Sequence, residues 1–206
     1  VLPTSPTFLN MLLIADAPNA YDLSSLKMIT YGTEPMPESL LQRLRTSFPR
    51  TRFIQTFGTS ETGISKSSSR SSDSLEIKLE GTEQEYQIVE GELWIRSKTQ
   101  ILGYLNSEMD NFTEDGWFRT GDLVEETKDG YIRIIGRLKE IINVGGEKVL
   151  PAEIESVLME LDFVEETAVI GSSNAITGQS VVANVVLADG TDKKVAKKKI
   201  RKHCIS

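Results

Sequence analysis

Trp117-Phe118-Arg119-Thr120-Gly121-Asp122-Leu123, followed after a short spacer by Gly136-Arg137-Leu138-Lys139-Glu140, organises the reading of this chain. An aspartate on a turn tightened by Gly121 offers two acceptor oxygens, which suit a vicinal diol such as ribose, and Arg137 supplies a fixed fork of donors. Between the two runs, Asp129-Gly130 signals a turn before a strand that ends at Gly136. The resulting hairpin brings Asp122 and Arg137 together although they are distant in sequence. Two readings are open at this point: a nucleotide-handling pair, or a structural salt bridge of the kind that usually stabilises weakly.

Outward from the hairpin, Leu75 to Ile135 is rich in β-formers between Gly- and Asp-bearing turns, as in Tyr86-Gln87-Ile88-Val89 and Gly91-Glu92-Leu93-Trp94-Ile95-Arg96. A small barrel-like sheet is expected, with Leu93 and Ile95 on one face and Trp94 and Arg96 on the other. Upstream, Pro37 opens a helix whose Leu40, Leu41, Leu44 and Phe48 follow helical spacing. Arg52 to Phe57 reads as a short buried strand delivering a turn at Gly58. Residues 65–74 hold seven serines among Lys66, Arg70 and Asp73. That composition predicts a solvated flexible loop, or a lid near a ligand.

Beyond Arg137 the pattern changes. Glu140 to Val144 reads as a strand, Gly145-Gly146 as a turn, and Pro151 as the start of a helix with an apolar stripe of Ile154, Val157, Leu158 and Leu161. Strands over 166–170 and 180–187 follow. Asp192 then caps a helix that is lysine-rich outside and turns Ala196, Ile200 and Cys204 inward. The fold class is therefore α/β and α+β, with helix-flanked strands and the barrel-like sheet over 1–138 and a small α+β domain over 139–206.

The chain has 206 residues, a formal charge of −7 and one cysteine. The acidity disfavours a nucleic-acid or anionic-membrane surface, and a lone cysteine allows no internal disulfide. No apolar run approaches membrane-spanning length and no leader is evident, so a soluble cytoplasmic protein is expected. The sole histidine, His203, lies far from the motifs, and neither zinc spacing nor a Walker sequence is present. Cys204 reads as core. The lysines at 193, 194, 197, 198, 199 and 202 read as a solvated helix face, with docking of an acidic carrier protein as the alternative.

A third block, Gln55-Thr56-Phe57-Gly58-Thr59-Ser60-Glu61-Thr62-Gly63, stands upstream of the first two. In order and spacing the blocks resemble the adenylate-forming superfamily of acyl-CoA synthetases, nonribosomal adenylation domains and firefly luciferases. The resemblance runs from about Ser24 to the last residue. It implies that residues 1–138 are the C-terminal part of a large domain and 139–206 a small mobile domain, incomplete at its end. The family's upstream phosphate loop and late catalytic lysine have no counterpart in these residues, so the isolated chain is expected to be inactive.

Adenylation joins a carboxylate to the α-phosphate of ATP and expels pyrophosphate, which gathers negative charge on phosphate oxygens. The resemblance implies that Glu61 coordinates Mg2+, against the alternative of a surface glutamate after a turn. It places the aromatic face of Phe57 beside adenine, with Gly58, Thr59 and the hydroxyl of Ser60 near the phosphates. Tyr31-Gly32-Thr33-Glu34-Pro35 is similar to a family segment lying against adenine and the acyl group, which makes Gly32, Thr33 and Glu34 nucleotide contacts. Asp122 and Arg137 become the ribose pair, and Lys139 the hinge about which the small domain turns. Asn143-Val144-Gly145-Gly146-Glu147-Lys148-Val149 resembles the loop that lines a pantetheine tunnel in acyl-CoA synthetases. Gly145 and Gly146 equally suit a plain hairpin turn, and Lys148 either meets CoA phosphates or faces solvent.

The expected parent is thus an acid–thiol ligase using ATP, Mg2+ and coenzyme A, with a carboxylic acid, a fatty acid among the candidates, as substrate. Two alternatives stand beside it. One is an acyl-AMP ligase or adenylation enzyme that loads a carrier protein, and the other is a non-catalytic nucleotide-binding pseudoenzyme.

Overall fold

The computed structural model describes residues 1–205. The chain forms two compact units, one of Val1–Met36 with Leu44–Leu138, the other of Pro37–Arg43 with the residues from Lys139 onward.

The first unit opens with β1 (Leu2–Thr4), α1 (Pro6–Ile14), α2 (Ala17–Ala20) and β2 (Met28–Tyr31). Helix α1 begins where Ser5 accepts from the Phe8 N–H, with Pro6 in the first helical position, where its missing donor costs nothing. Helix α3 (Glu38–Ser47) crosses the sequence division between the units, and its Leu40, Leu41 and Leu44 are buried at the expected helical spacing. It leads to β3 (Arg52–Gln55), and the three strands form a parallel sheet in the order β1-β2-β3.

A single residue, Thr56, separates β3 from β4 (Phe57–Thr59). Strands β5 (Gly63–Ser69), β6 (Glu76–Glu80), β7 (Gln84–Val89), β8 (Glu92–Ser97), β9 (Phe118–Glu126) and β10 (Ile132–Arg137) follow. Together they make an antiparallel sheet in the order β4-β5-β6-β10-β9-β8-β7. It is an open sheet with β4 and β7 at its edges, not a closed barrel. Its core is Phe57, Ile77, Leu93, Ile95, Val124 and Ile132. Strand β8 alternates as expected, with Leu93 and Ile95 buried and Trp94 and Arg96 half-buried.

The first half of the serine-rich stretch, 65–69, is strand and not loop, while 70–74 forms turns. Residues 63–69 are strand β5, paired with β4 on one side and β6 on the other. The physical reason lies in the free edge of β3. Ser69 Oγ accepts from the Gln55 N–H at 2.8 Å, Ser72 Oγ accepts from the Phe53 N–H at 3.1 Å, and Ser67 Oγ donates to the Gln55 carbonyl at 3.4 Å. Hydroxyls here do what a neighbouring strand's backbone would do, so a composition that suggests disorder instead satisfies a sheet edge.

The second unit contains β11 (Ile142–Val144), β12 (Glu147–Val149), α4 (Pro151–Leu158), β13 (Val164–Asn174), β14 (Gly178–Leu187) and α5 (Lys193–His203). The sheet order is β12-β11-β14-β13, and Ile142, Leu158 and Val169 form its core with Ile154, Val185 and Ile200 against them. Leu138–Glu140 is a 3-10 turn, so β11 starts later than the composition suggests. Asp192 caps α5 by accepting from the N–H groups of Lys194 and Val195. Cys204, expected to face inward, is exposed. The buried stripe runs through Ala196 and Ile200 to position 203, where half-buried His203 meets the Val157 carbonyl at 3.1 Å, and Cys204 falls on the helix cap beyond it.

Candidate functional site

Strands β2 and β3 run parallel and stop side by side, at Tyr31 and Gln55. The segments leaving them, Gly32 to Met36 and Thr56 to Gly58, line one cavity of about 70 Å3. The crevice beyond the carboxyl ends of parallel strands is where open α/β sheets place ligands, because the diverging segments leave a gap there. The β9–β10 hairpin supplies the opposite wall with Asp122, Ile134, Gly136 and Arg137. Ligand pockets usually span roughly 300–1,000 Å3, so this cavity holds a part of a nucleotide-sized molecule.

Close backbone approach shapes the floor. A Cβ on Gly32 would lie 2.7 Å from both the carbonyl and the hydroxyl oxygen of Thr56, and one on Gly58 would lie 2.9 Å from the Gly63 carbonyl. Thr56 is itself pinned, its N–H donating to the Tyr31 carbonyl at 2.7 Å. Burial pushes the Tyr31 phenol above its usual pKa, so this residue stays neutral under the floor. Thr33 sits at φ 70°, a costly position for a β-branched residue, and its hydroxyl donates to the Gly32 carbonyl. Glu34 lines the cavity, but its carboxylate accepts from the Thr7 N–H and hydroxyl at 3.0 and 2.6 Å. Its charge therefore serves the first turn of α1, where a carboxylate is favoured.

Asp122 and Arg137 stand opposite each other in the β9–β10 register, and Arg137 Nε lies 2.8 Å from Asp122 Oδ1. The aspartate side chain is only 6% exposed against 42% for the arginine. Arg137 also donates to the Thr120 carbonyl at 3.2 Å. Beneath them, Thr120 Oγ1 donates to the Leu93 carbonyl and accepts from the Asp122 N–H, while Glu92 accepts from the Gly121 N–H and from the Trp94 indole. These supports set the direction of the Asp122 carboxylate before any ligand arrives.

Glu61 lies in the turn between β4 and β5, and it does not line the cavity; nor do Thr59 and Ser60. The turn is held by Thr59 Oγ1 accepting from the Thr62 N–H and by Gln84 donating to the Thr62 carbonyl. Tyr104 donates its hydroxyl to Glu61 Oε1 at 3.0 Å, and the Ile101 N–H reaches the Glu61 carbonyl at 2.8 Å. Burial first, and then the bond to Glu61, raise the Tyr104 pKa and keep its proton in place. Among the described residues no cluster of three or more His, Cys, Asp or Glu could hold a metal ion. A lone half-buried carboxylate suits magnesium completed by phosphate oxygens and water, not a metal caged by protein.

The structure thus brings together Gly32, Thr33, Glu34, Phe57, Gly58, Asp122 and Arg137. In the second unit, Lys139 is exposed in the 3-10 turn, Gly145 and Gly146 form the β11–β12 turn at φ 62° and 99°, and Lys148 is exposed on β12. Sequence reasoning missed Leu75 and Ile134 on the cavity wall, for which no local motif exists. It also missed Gln55, which is 7% exposed, lines the cavity and has a buried Oε1 without a hydrogen-bond partner among the described residues. A polar residue ending a buried strand was the available signal. An unpaired buried carbonyl oxygen is costly, and this one is sealed behind the cavity wall.

A family model described as AMP-binding enzyme matches residues 1–105, and one described as AMP-binding enzyme C-terminal domain matches residues 153–206. Acyl-CoA synthetase 7 of Caenorhabditis elegans is 33% identical over 218 residues, covering 98% of this chain and 40% of the relative. Probable CoA ligase CCL5 of Humulus lupulus is 33% identical over 213 residues, covering 93% of this chain and 38% of the relative. The chain therefore spans about 40% of the length of the curated relatives it matches. The crystal structure of the anthranilate CoA ligase AuaEII in complex with anthranoyl-AMP superposes with a TM-score of 0.82 over 98% of this chain and 42% of that one. At 23% identity that likeness establishes the fold.

Proposed function

We propose, for a chain that belongs to the AMP-binding enzyme family, that the protein carrying it activates a carboxylic acid with ATP and passes the acyl group to coenzyme A. The observation that carries this reading is the buried Asp122, fixed by Arg137 on the wall of the cavity that Phe57, Gly32 and Gln55 also line. In this assignment Asp122 receives the ribose hydroxyls and Phe57 offers its ring to the adenine face. Ser60 offers its hydroxyl toward the α-phosphate. Mg2+ would be held by Glu61 with phosphate oxygens, offsetting the charge that gathers as pyrophosphate leaves.

The relatives named as an acyl-CoA synthetase and a probable CoA ligase support coenzyme A as the acceptor. Gly145, Gly146 and Lys148 are assigned to it, and Lys139 is assigned as hinge and as the boundary between domains 1–138 and 139–206. No described helix is long and apolar enough to cross a membrane. A reducing, cytoplasmic setting belongs to this reading, supported by the single exposed cysteine. Pyrophosphate release with fatty, aromatic and short acids reads out the acid.

The test is Asp122→Ala in the full-length protein. Loss of the acceptor strands Arg137 and should weaken ATP binding by roughly 2–4 kcal/mol, with a much smaller effect on folding. Calorimetric ATP affinity measured beside the melting temperature separates the readings. Unchanged affinity with a large drop in melting temperature would make the pair a structural salt bridge and remove the ribose assignment.

A further inference from the structure

Glu61 is gripped at two points by one short segment of the chain, which the motif around Glu61 does not include. The Ile101 N–H holds its carbonyl at 2.8 Å and the Tyr104 hydroxyl holds its carboxylate Oε1 at 3.0 Å. These residues are about 40 positions away in sequence and belong to the connection between β8 and β9. Tyr104 is half-buried, while its neighbours Leu102 and Leu105 are fully exposed, so the ring is turned in toward Glu61 where the residues on either side face out.

The geometry points to Tyr104 as the positioning residue for the Glu61 carboxylate. A phenol is a single directional donor. Bonded to Oε1, it stops rotation of the carboxylate about its last side-chain bond and leaves the second oxygen for a cation. The Ile101 bond stops the turn from carrying that carboxylate away. Hydrogen-bond partners that orient a ligating carboxylate commonly govern metal affinity, because an unheld ligand must be ordered as the ion binds. This inference rests on the assignment of Glu61 to Mg2+, and the experiment separates failure of the one from failure of the other.

Full-length wild type, Tyr104→Phe, Glu61→Gln and the double variant are titrated with Mn2+ in the presence of a non-hydrolysable ATP analogue, with bound metal read by electron paramagnetic resonance. Nucleotide affinity in chelator and melting temperature are measured alongside. Tyr104→Phe removes one oxygen and should weaken Mn2+ binding about tenfold, with metal-free nucleotide affinity unchanged. In the Glu61→Gln background the same substitution should have no further effect on Mn2+, since there is no charged ligand left to orient. If Glu61→Gln weakens Mn2+ binding and Tyr104→Phe does not, the positioning role is overturned and the metal assignment stands. If neither variant changes Mn2+ binding, the assignment of Glu61 itself fails. A loss of metal-free nucleotide affinity and melting temperature by Tyr104→Phe, equal in both backgrounds, would make Tyr104 a packing residue and overturn the inference.

Discussion

Gly32 has no room for a side chain: a methyl group there would stand 2.7 Å from both oxygens of Thr56, whose N–H is bonded to the Tyr31 carbonyl. Gly32→Ala must therefore push apart the two segments that form the cavity floor. Overpacking of this kind costs roughly 1–3 kcal/mol. Melting temperature and ATP affinity of the full-length protein should fall together, and a variant with normal values of both would show that the floor yields freely. At this scale Asp122, Arg137 and Phe57 were legible because each belongs to a short, ordered motif. Gln55 and Tyr104 were not, because their significance lies in what their polar atoms meet or fail to meet across the fold.

Among elements, β5 shows how composition misleads. Its serines predict a solvated loop, yet the hydroxyls of Ser67 and Ser69, with that of Ser72 just beyond the strand, close the edge of β3 and join the two sheets of the first unit. Arg70, just beyond β5, extends the clip. It bonds Glu76 at the start of β6 and Asp129 in the β9–β10 turn, the latter at 2.7 Å, and lies 4.2 Å from the Tyr131 ring centre. The Arg70 and Thr127 hydrogen bonds hold the Asp129 carboxyl at about 2. That value lies below the roughly 3.9 expected in the unfolded chain. The contribution of the clip is therefore full above pH ~4 and is lost as pH falls toward the folded value. Carboxyl carbon chemical shifts should titrate near pH 2 for Asp129, and Arg70→Gln should move that midpoint up. An unchanged midpoint in the variant would remove Arg70 as the cause.

For the whole molecule, the proposed hinge at Lys139 implies two poses of the small domain, one making the adenylate and the other transferring the acyl group, and Lys139 opens the longer segment of the second unit. A hinge must change its backbone angles, whereas proline fixes φ near −65° and deletes an N–H. Lys139→Pro in the full-length protein should trap one pose. One half-reaction then survives while the other falls by orders of magnitude, measured as pyrophosphate release and as transfer to CoA from preformed adenylate. Near-normal rates in both would end the hinge assignment. So would a parallel loss of both with the melting temperature of the wild type, since a hinge block spares one step.

The sequence by itself determined the family, the helices opened by Pro37, Pro151 and Asp192, most strands beyond Leu75 and the nearness of Asp122 to Arg137, because periodicity, turn chemistry and motif order are local properties of a chain. The turn that joins β9 to β10 brings Asp122 and Arg137 near each other, and the one-residue register shift between Ile134 and Gly136 sets them directly opposite. Only the tertiary structure decided that the ends of β2 and β3 form the cavity floor, that serine hydroxyls replace a strand, and that Glu34 serves α1. It alone decided, too, that Tyr104 holds Glu61. Those outcomes depend on which polar groups lose water together, and a hydrogen bond between residues about 40 positions apart leaves no periodic trace in the chain.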